Sequence, residues 1–269
     1  MRGLNMIPTS LSILCYSAAW ILLIRRLQQR LSLSSAPITA LICLALGLNA
    51  WAIFEQIHVE TGYQFGFFKV APLFFWAANL LIFLSSLKKP LQSLLLFTLP
   101  LSLVASLASL LVANSSATPI ALGPGLLAHV LLSLLAYSLM LAALFQALML
   151  AYQNQKLRSK HPGGWLRLLP PLQTMEALLF ELLWAGELVL TVAIISGGLF
   201  VENLLAQHLA QKTVFSLLAW ATYALLLWGR HARGWRGAAA MRWTFTGFAF
   251  LLLAYFGSKF VLELILQRA

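Results

Sequence analysis

The chain has 269 residues and a formal net charge of +11; 61% of its residues are hydrophobic and only 9% are charged. Its mean hydropathy is +0.87. Because soluble domains carry about 25% charged residues, this composition excludes a soluble domain with a polar surface. The sequence therefore predicts an integral membrane protein whose exterior faces lipid.

Eight apolar segments follow one another along the chain, with short polar stretches between them. A helix needs about 20 apolar residues to cross the hydrocarbon core of a bilayer, whereas a transmembrane strand alternates polar and apolar residues over about ten. None of the segments alternates. We therefore predict an all-α fold, a polytopic membrane helix bundle of about eight transmembrane helices in a single domain over residues 1–269. The predicted spans are Ile7–Ile24, Pro37–Ile57, Phe68–Leu87, Leu91–Ala113, Leu126–Tyr152, Leu178–Val201, Val214–Trp228 (short, and expected to extend at either end) and Trp243–Leu266.

The basic residues are distributed unevenly between the two sides of this predicted bundle. Thirteen of the 18 follow helices 1, 3, 5 and 7: Arg25, Arg26, Arg30, Lys88, Lys89, Lys156, Arg158, Lys160, Arg167, Arg230, Arg233, Arg236 and Arg242. The other side holds Arg2, Lys69, Lys212, Lys259 and Arg268. Because positively charged loops stay in the cytoplasm, both termini are predicted outside. The basic excess is a topology signal and an attraction to anionic lipid, and no nucleic-acid partner is inferred.

The sequence carries no motif that supports an enzyme. Cys15 and Cys43 both fall within predicted helices and show neither C-x-x-C nor C-x-x-C-H spacing. The chain is therefore predicted to be neither a thiol oxidoreductase nor a covalent c-type cytochrome. It has no Ser/His/Asp set, phosphate loop or metal-spaced cluster, so no catalytic residue and no metal site are assigned.

A polar stripe runs along predicted helix 5, which begins after the turn Gly123-Pro124-Gly125. His129, Ser133 and Tyr137 are spaced four residues apart and therefore lie on one face of the helix. One interpretation is a set of hydrogen bonds to neighbouring membrane helices. The other makes neutral His129 a ligand of a metal or of haem iron. Spacing alone favours the first, because a single histidine without a partner is weak evidence for a ligand.

Predicted helix 6 carries two acidic residues, Glu181 and Glu187. Glu187 lies about nine residues, or ~13 Å, beyond Leu178 at the start of the span, where an ionised carboxylate is unfavourable. It is therefore expected to be protonated or paired. A neutral acid in an interhelical hydrogen bond is the favoured interpretation, and a proton relay or cation site is the alternative.

Three of the five histidines are predicted on the outer side of the membrane: His58, His129 and His208. His58 borders the loop between helices 2 and 3, and His208 is placed in the loop between helices 6 and 7. The three residues are not a motif by spacing. Their clustering on one side is suggestive, and imidazole is a ligand that suits iron.

Several longer motifs follow one another from Gly123 to the end of the chain. They read Leu126-Leu127-Ala128-His129-Val130-Leu131-Leu132-Ser133-Leu134-Leu135-Ala136-Tyr137, then Met175-Glu176 with Phe180 and Gly186, Ile194-Ile195-Ser196-Gly197-Gly198, Ala219-Trp220-Ala221-Thr222-Tyr223, Gly234-Trp235-Arg236-Gly237 and Ala254-Tyr255-Phe256-Gly257. In this order they resemble the cytochrome c assembly (CcsA-type) membrane protein family, in its HemX/YpjD-like branch of single-subunit proteins. The resemblance places a family-like core at about residues 123–269.

The resemblance implies haem handling at the outer face of a bacterial inner (cytoplasmic) membrane, with histidines as axial ligands. His129 matches the family's outer histidine at the start of its helix. The Trp-rich haem-binding segment, expected just before Lys212, is replaced here by Gln207-His208-Leu209-Ala210.

Three further family positions also lack their histidine. Trp228 stands where a membrane histidine is expected, and His231 is displaced from that position by three residues. No histidine lies near Leu266, and Asn49 stands where related sequences can carry a membrane histidine. With one of four ligands retained, the resemblance does not support synthetase-type attachment of haem to apocytochrome.

The favoured hypothesis is a haem-binding, haem-handling inner-membrane protein with an accessory role in cytochrome c biogenesis. His129 would be one axial ligand of the haem, and His58, His208 or water the other. One alternative is a non-catalytic membrane partner that regulates another membrane or haem-synthesis protein. Another is a small-molecule or ion transporter that uses Glu187. The expected partners are the lipid bilayer and other membrane or cytochrome biogenesis proteins.

Overall fold

The computed structural model describes residues 2–27, 35–59, 62–111, 123–159, 169–200 and 207–257. In these ranges eight α-helices follow one another: α1 (Arg2–Leu27), α2 (Ser35–Ile57), α3 (Phe67–Ser86), α4 (Leu95–Leu111), α5 (Pro124–Arg158), α6 (Leu172–Phe200), α7 (Gln207–Arg233) and α8 (Ala238–Leu252). Helices α1–α4 belong to one compact unit, and α5–α8 belong to a second. The single domain over residues 1–269 stays a prediction.

The helices confirm the predicted all-α membrane fold. Among the described residues, eight helical spans are long and apolar enough to cross a membrane. Helix α7 extends the short predicted seventh span at both ends. Helix α8 passes into one π-helical turn, Leu253–Gly257, and the remainder of the predicted eighth span, up to Leu266, lies outside the described residues.

Helix α5 continues well beyond the hydrocarbon core. It has 35 residues, which correspond to ~52 Å at about 1.5 Å per residue, compared with a core of about 30 Å. Its last turns carry Gln153, Gln155, Lys156 and Arg158. The predicted span ends at Tyr152 because it counts only the apolar residues. The helix continues through these polar residues to the basic side of the membrane.

A short antiparallel hairpin joins α2 to α3. Its strands are β1 (His58–Val59) and β2 (Gly62–Tyr63), and His58 lies opposite Tyr63. Gly62 has a φ of 137°, a conformation that residues with a Cβ atom rarely adopt. The hairpin fixes the position of His58 directly after the last residue of α2.

In the first unit, polar side chains lie inside and many large apolar side chains lie outside. Buried Asn49 of α2 donates a hydrogen bond to Ser106 Oγ of α4 at 2.9 Å, and buried Asn79 of α3 donates one to Ser102 Oγ at 2.5 Å. Ser102 and Ser106 are one helical turn apart, so one face of α4 binds both neighbouring helices. Exposed apolar side chains of this unit include Ile7, Leu14, Trp51, Phe54 and Val104, as expected for contact with lipid.

Glycines allow the helices of the second unit to approach closely. A Cβ atom on Gly186 of α6 would lie 2.9 Å from Met140 Cε of α5. A Cβ atom on Gly247 of α8 would lie 2.6 Å from Cζ of Tyr223 on α7. Small residues at such contacts are typical of membrane helices, which associate through close packing rather than through the hydrophobic effect.

Candidate functional site

The candidate site begins with His129 in the second turn of α5, which starts at Pro124. The His129 imidazole is half-buried against α6. Its Nδ1 atom lies 3.0 Å from the Ala193 carbonyl oxygen and 3.1 Å from Ser196 Oγ. The Ser196 hydroxyl also donates to the Ala193 carbonyl, at 2.8 Å. The first residue of the polar stripe thus binds the neighbouring helix, as the hydrogen-bonding interpretation expects.

These contacts select one tautomer of the ring. The Ala193 carbonyl oxygen only accepts hydrogen bonds, so Nδ1 carries the proton in this pairing. In a neutral imidazole, Nε2 then holds the free lone pair. Histidines that bind metals are commonly oriented in this way, with a backbone carbonyl accepting from the other ring nitrogen. His129 is therefore held on α6 through Nδ1, and its lone pair lies on Nε2.

Two glycines make room where α5 and α6 meet at this level. A Cβ atom on Gly197 would lie 2.9 Å from Cε1 and 3.3 Å from Nδ1 of His129. One turn earlier on α5, Gly125 lies directly against the Phe200 ring, which leaves no space for a side chain. Gly198, by contrast, faces open space. Of the two glycines in the Ser196-Gly197-Gly198 motif, Gly197 is therefore the one that makes room for the His129 ring beside α6.

His58 lies in the first unit, directly after α2, and its side chain is exposed. Its ring stacks on Phe54, with centroids 5.2 Å apart, and meets Tyr63 edge-on at 5.6 Å. These contacts stabilise the hairpin and leave the imidazole accessible. His129 belongs to the second unit, so the pairing of His58 with His129 stays a prediction.

His208 does not lie in a loop between helices 6 and 7. It lies in the first turn of α7, which begins at Gln207. Sequence reasoning began this span at Val214 because Gln207, Gln211 and Lys212 are polar, although polar residues readily continue a helix beyond the hydrocarbon core. The His208 side chain lies outside the described residues, and its role as a ligand stays a prediction.

The family positions that lack a histidine have other contacts here. Trp228 is exposed, and the Arg233 guanidinium carbon lies 5.3 Å from its ring centroid. His231 is exposed near the end of α7. Asn49 is buried in hydrogen bonds that join α2 to α1 and α4. Across the described ranges, no group of three or more His, Cys, Asp or Glu side chains could hold a metal ion.

Glu187 is 6% exposed, in the interior of the second unit. The favoured expectation was an interhelical hydrogen bond, and the structure differs from it: neither carboxyl oxygen has a hydrogen-bond partner within the described part of the chain. The neighbouring Gly186 faces the apolar side chain of Met140, so α5 offers no polar group at that contact. Glu181, on the same helix, is exposed.

Sequence reasoning missed an ion pair between α6 and α7. Arg230 Nη1 donates to Glu176 Oε1 at 2.8 Å, and Arg236 Nε lies 3.6 Å from the same oxygen. The Arg230 guanidinium also lies 4.5 Å from the centroid of the Phe180 ring. The sequence feature that could have indicated this ion pair is the position of both charges at the predicted cytoplasmic ends of consecutive helices.

The loop after α7 packs closely on the helix that precedes it. Gly229 lies directly against the Trp235 indole, which in turn stacks on Trp243 of α8 with centroids 5.5 Å apart. The two glycines of Gly234-Trp235-Arg236-Gly237 have φ values of 65° and 51°, which favour glycine. This motif of the resemblance is therefore a structural turn that joins α7 to α8.

These observations define a multi-pass membrane protein with a histidine held at one end of its second helical unit. The chain belongs to the cytochrome c assembly protein family, whose model matches residues 8–266. The match confirms the resemblance and extends through α1–α4 as well. As predicted, the protein is a multi-pass protein of the inner membrane.

The chain is similar to three relatives from different bacteria. It is 35% identical over 152 residues to inner membrane protein YpjD of Escherichia coli strain K12, which covers 56% of this chain and 57% of that protein. It is 31% identical over 140 residues to an uncharacterised 28.8 kDa protein of Azospirillum brasilense, which covers 51% and 52%. It is 29% identical over 87 residues to the cytochrome c biogenesis protein CcsA of Prochlorococcus marinus strain NATL1A, which covers 32% and 28%.

The chain thus spans little more than half the length of the first of these relatives, and less of the others. No solved structure matches the chain significantly.

Proposed function

We propose that the protein binds haem through His129 and has an accessory role in cytochrome c biogenesis. The observation that carries the proposal is the hydrogen bond from His129 Nδ1 to the Ala193 carbonyl, 3.0 Å long. It leaves the lone pair on Nε2, the state in which imidazole binds iron. Membership of the cytochrome c assembly family supports haem as the ligand.

The residues present fit haem as a ligand, which would be held through the Nε2 atom of His129. Haem would supply an iron centre that binds an imidazole nitrogen. Gly197 leaves the space in which the His129 ring lies, and the contacts to Ser196 and Ala193 hold Nδ1 while Nε2 keeps the lone pair. A ring whose orientation is fixed through one nitrogen is suited to hold a ligand through the other.

The accessory role rests on what the other family positions carry. Trp228 and Asn49 replace expected histidines and are engaged in packing contacts, while His231 is exposed at the end of α7. A protein with a single strong haem ligand of this kind is better suited to hold haem, or to present it to another protein, than to attach it covalently. The relative named for cytochrome c biogenesis, CcsA, supports this context.

A second candidate is a non-catalytic membrane partner of another membrane or haem-synthesis protein. One observation favours it: the two acceptors on α6 already give His129 a structural role that bridges two helices. In that case Nδ1 would orient the ring only for packing, and the protein would act through its surface.

The test is a haem titration of the purified protein in detergent, followed by absorption in the Soret region. We expect saturable binding by the wild type and its loss, or a shifted Soret band, in His129→Ala. The matched control is His231→Ala, which removes an exposed histidine of the same chain and is expected to leave the spectrum unchanged. Absence of saturable binding by the wild type, or unchanged binding by His129→Ala, would instead favour the non-catalytic membrane partner.

The same titration identifies the second axial ligand. His58→Ala and His208→Ala remove the other two candidates one at a time. The variant that lacks the second ligand is expected to keep haem but to show a changed spin state, because water would replace an imidazole. If neither variant changes the spectrum, the second ligand is water or comes from outside the chain.

A further inference from the structure

The second unit contains a buried acid that the haem proposal does not use. Glu187 lies near the middle of α6, is 6% exposed, and has no hydrogen-bond partner on either carboxyl oxygen within the described ranges. Its own backbone carbonyl is occupied, because Thr191 Oγ1 donates to it at 2.7 Å. Both oxygens of the Glu187 carboxyl are thus buried without a hydrogen bond from the described residues of the surrounding helices.

The titratable groups that face Glu187 from the packed helices are tyrosines. Tyr223 of α7 is completely buried and lies within electrostatic range of both Glu187 and Tyr137 of α5. Its hydroxyl donates only a long hydrogen bond, 3.5 Å, to the Thr244 carbonyl of α8. Tyr255, in the π-helical turn after α8, meets the Tyr137 ring edge-on. Within the described residues, no Lys, Arg or His forms an ion pair with Glu187.

The energetics favour a neutral acid at this position. Taking a carboxylate out of water carries a large free-energy penalty, and only a well-placed partner compensates that penalty. With no such partner in reach, the charged form is strongly disfavoured. A protonated carboxyl still has an O–H donor, which a nearby water or tyrosine oxygen can accept from.

We propose that Glu187 is a proton-binding site inside the second unit, in exchange with the aqueous phase at the Pro124 end of α5. The path is the polar stripe of α5, in which Ser133 and Tyr137 are half-buried. Tyr137 lies eight residues, or ~12 Å, from His129 along the helix, and its hydroxyl interacts with Ser216 of α7. Gly186, the residue before Glu187, contacts Met140 of α5. Met140 lies three residues after Tyr137, so Glu187 and Tyr137 lie within about one helical turn of each other along the bundle.

The proposal is tested by infrared spectroscopy of the purified protein at neutral pH, without haem. A protonated carboxyl has a carbonyl stretching band that shifts when its proton is exchanged for deuterium. We expect such a band in the wild type and its loss in Glu187→Gln, an isosteric change. The matched control is Glu181→Gln, which changes an exposed acid on the same helix and is expected to keep the band.

Transfer to D₂O tests the exchange and its path. We expect the Glu187 band to shift in the wild type, and to shift more slowly in Tyr137→Phe, which interrupts the stripe. The wild-type measurement needs no variant to fold. Three results would overturn the proposal: no Glu187 carbonyl band at neutral pH, a band that does not shift in D₂O, or a band abolished by Na⁺ or K⁺, which would indicate a cation site. None of them depends on whether the protein binds haem.

Discussion

The His129 imidazole lies so close to Gly197 that a Cβ atom on that glycine would be 2.9 Å from the ring carbon Cε1. Real Cβ atoms almost never approach another heavy atom this closely, so any larger residue at position 197 must move the ring. The ring is held by the hydrogen bond from Nδ1 to the Ala193 carbonyl, one turn away on the same helix. The orientation of His129 therefore depends on Gly197, because the glycine leaves the space in which the imidazole ring lies.

The first prediction concerns Gly197→Ala. The added methyl group should displace the imidazole and lengthen the hydrogen bond from His129 Nδ1 to the Ala193 carbonyl. Haem affinity should therefore fall by about 10–100-fold, the usual effect of disturbing a residue that orients a metal ligand. The measurement is the dissociation constant from a haem titration. Gly198→Ala is the control, because its Cβ would meet open space, and it should bind like the wild type. Equal affinity of Gly197→Ala and Gly198→Ala would show that ring orientation does not determine binding.

The helices could be predicted because apolar length alone defines a membrane span. The eight predicted segments became eight helical spans within the described ranges. The errors fall where helices leave the hydrocarbon core, at Gln207–Thr213 before the predicted seventh span and Gln153–Arg158 after the fifth. There the residues are polar, and continuation of the helix depends on backbone propensity rather than on lipid contact. For this reason the sequence predicts a loop at His208, where the structure has the first turn of α7.

The contacts within the site could not be predicted from the sequence. The polar stripe from His129 to Tyr137 was visible as a spacing, but the acceptor of His129 lies 64 residues further on. The absence of a hydrogen-bond partner for Glu187 among the described residues depends on the side chains that the neighbouring helices α5 and α7 place around it, and helical periodicity specifies only that it faces inward. The Glu176–Arg230 pair joins residues 54 positions apart, and only its position at the ends of neighbouring helices could have suggested it.

The second prediction concerns this ion pair. Glu176→Gln should lower the free energy of unfolding by about 1–3 kcal/mol, because it leaves the Arg230 guanidinium without its charged acceptor. The lower part of that range is expected, since the Arg230 side chain is 26% exposed and water screens the pair. Thermal unfolding in detergent is the measurement. Glu181→Gln, an exposed change on the same helix, should have little effect; equal stability of the two variants would mean that the pair contributes nothing.

The third prediction concerns topology and rests on the asymmetry of basic residues between the two sides. Cysteine variants should be made in a background with Cys15 and Cys43 replaced by Ser. In intact cells, a thiol reagent that does not cross the inner membrane should label Gly123→Cys, which lies before α5. It should leave Ser159→Cys, which follows α5, unlabelled. Both positions are exposed, so the difference reports the side of the membrane. The reverse pattern would place both termini in the cytoplasm.

Imidazole rescue tests directly whether the lone pair of His129 binds haem iron. His129→Gly removes the ring and leaves a space beside Gly197 that free imidazole can occupy. We expect this variant to lack the wild-type haem spectrum and added imidazole to restore it saturably, whereas His231→Gly shows the wild-type spectrum throughout. Haem binding by His129→Gly that equals the wild type without imidazole would show that His129 does not bind the iron.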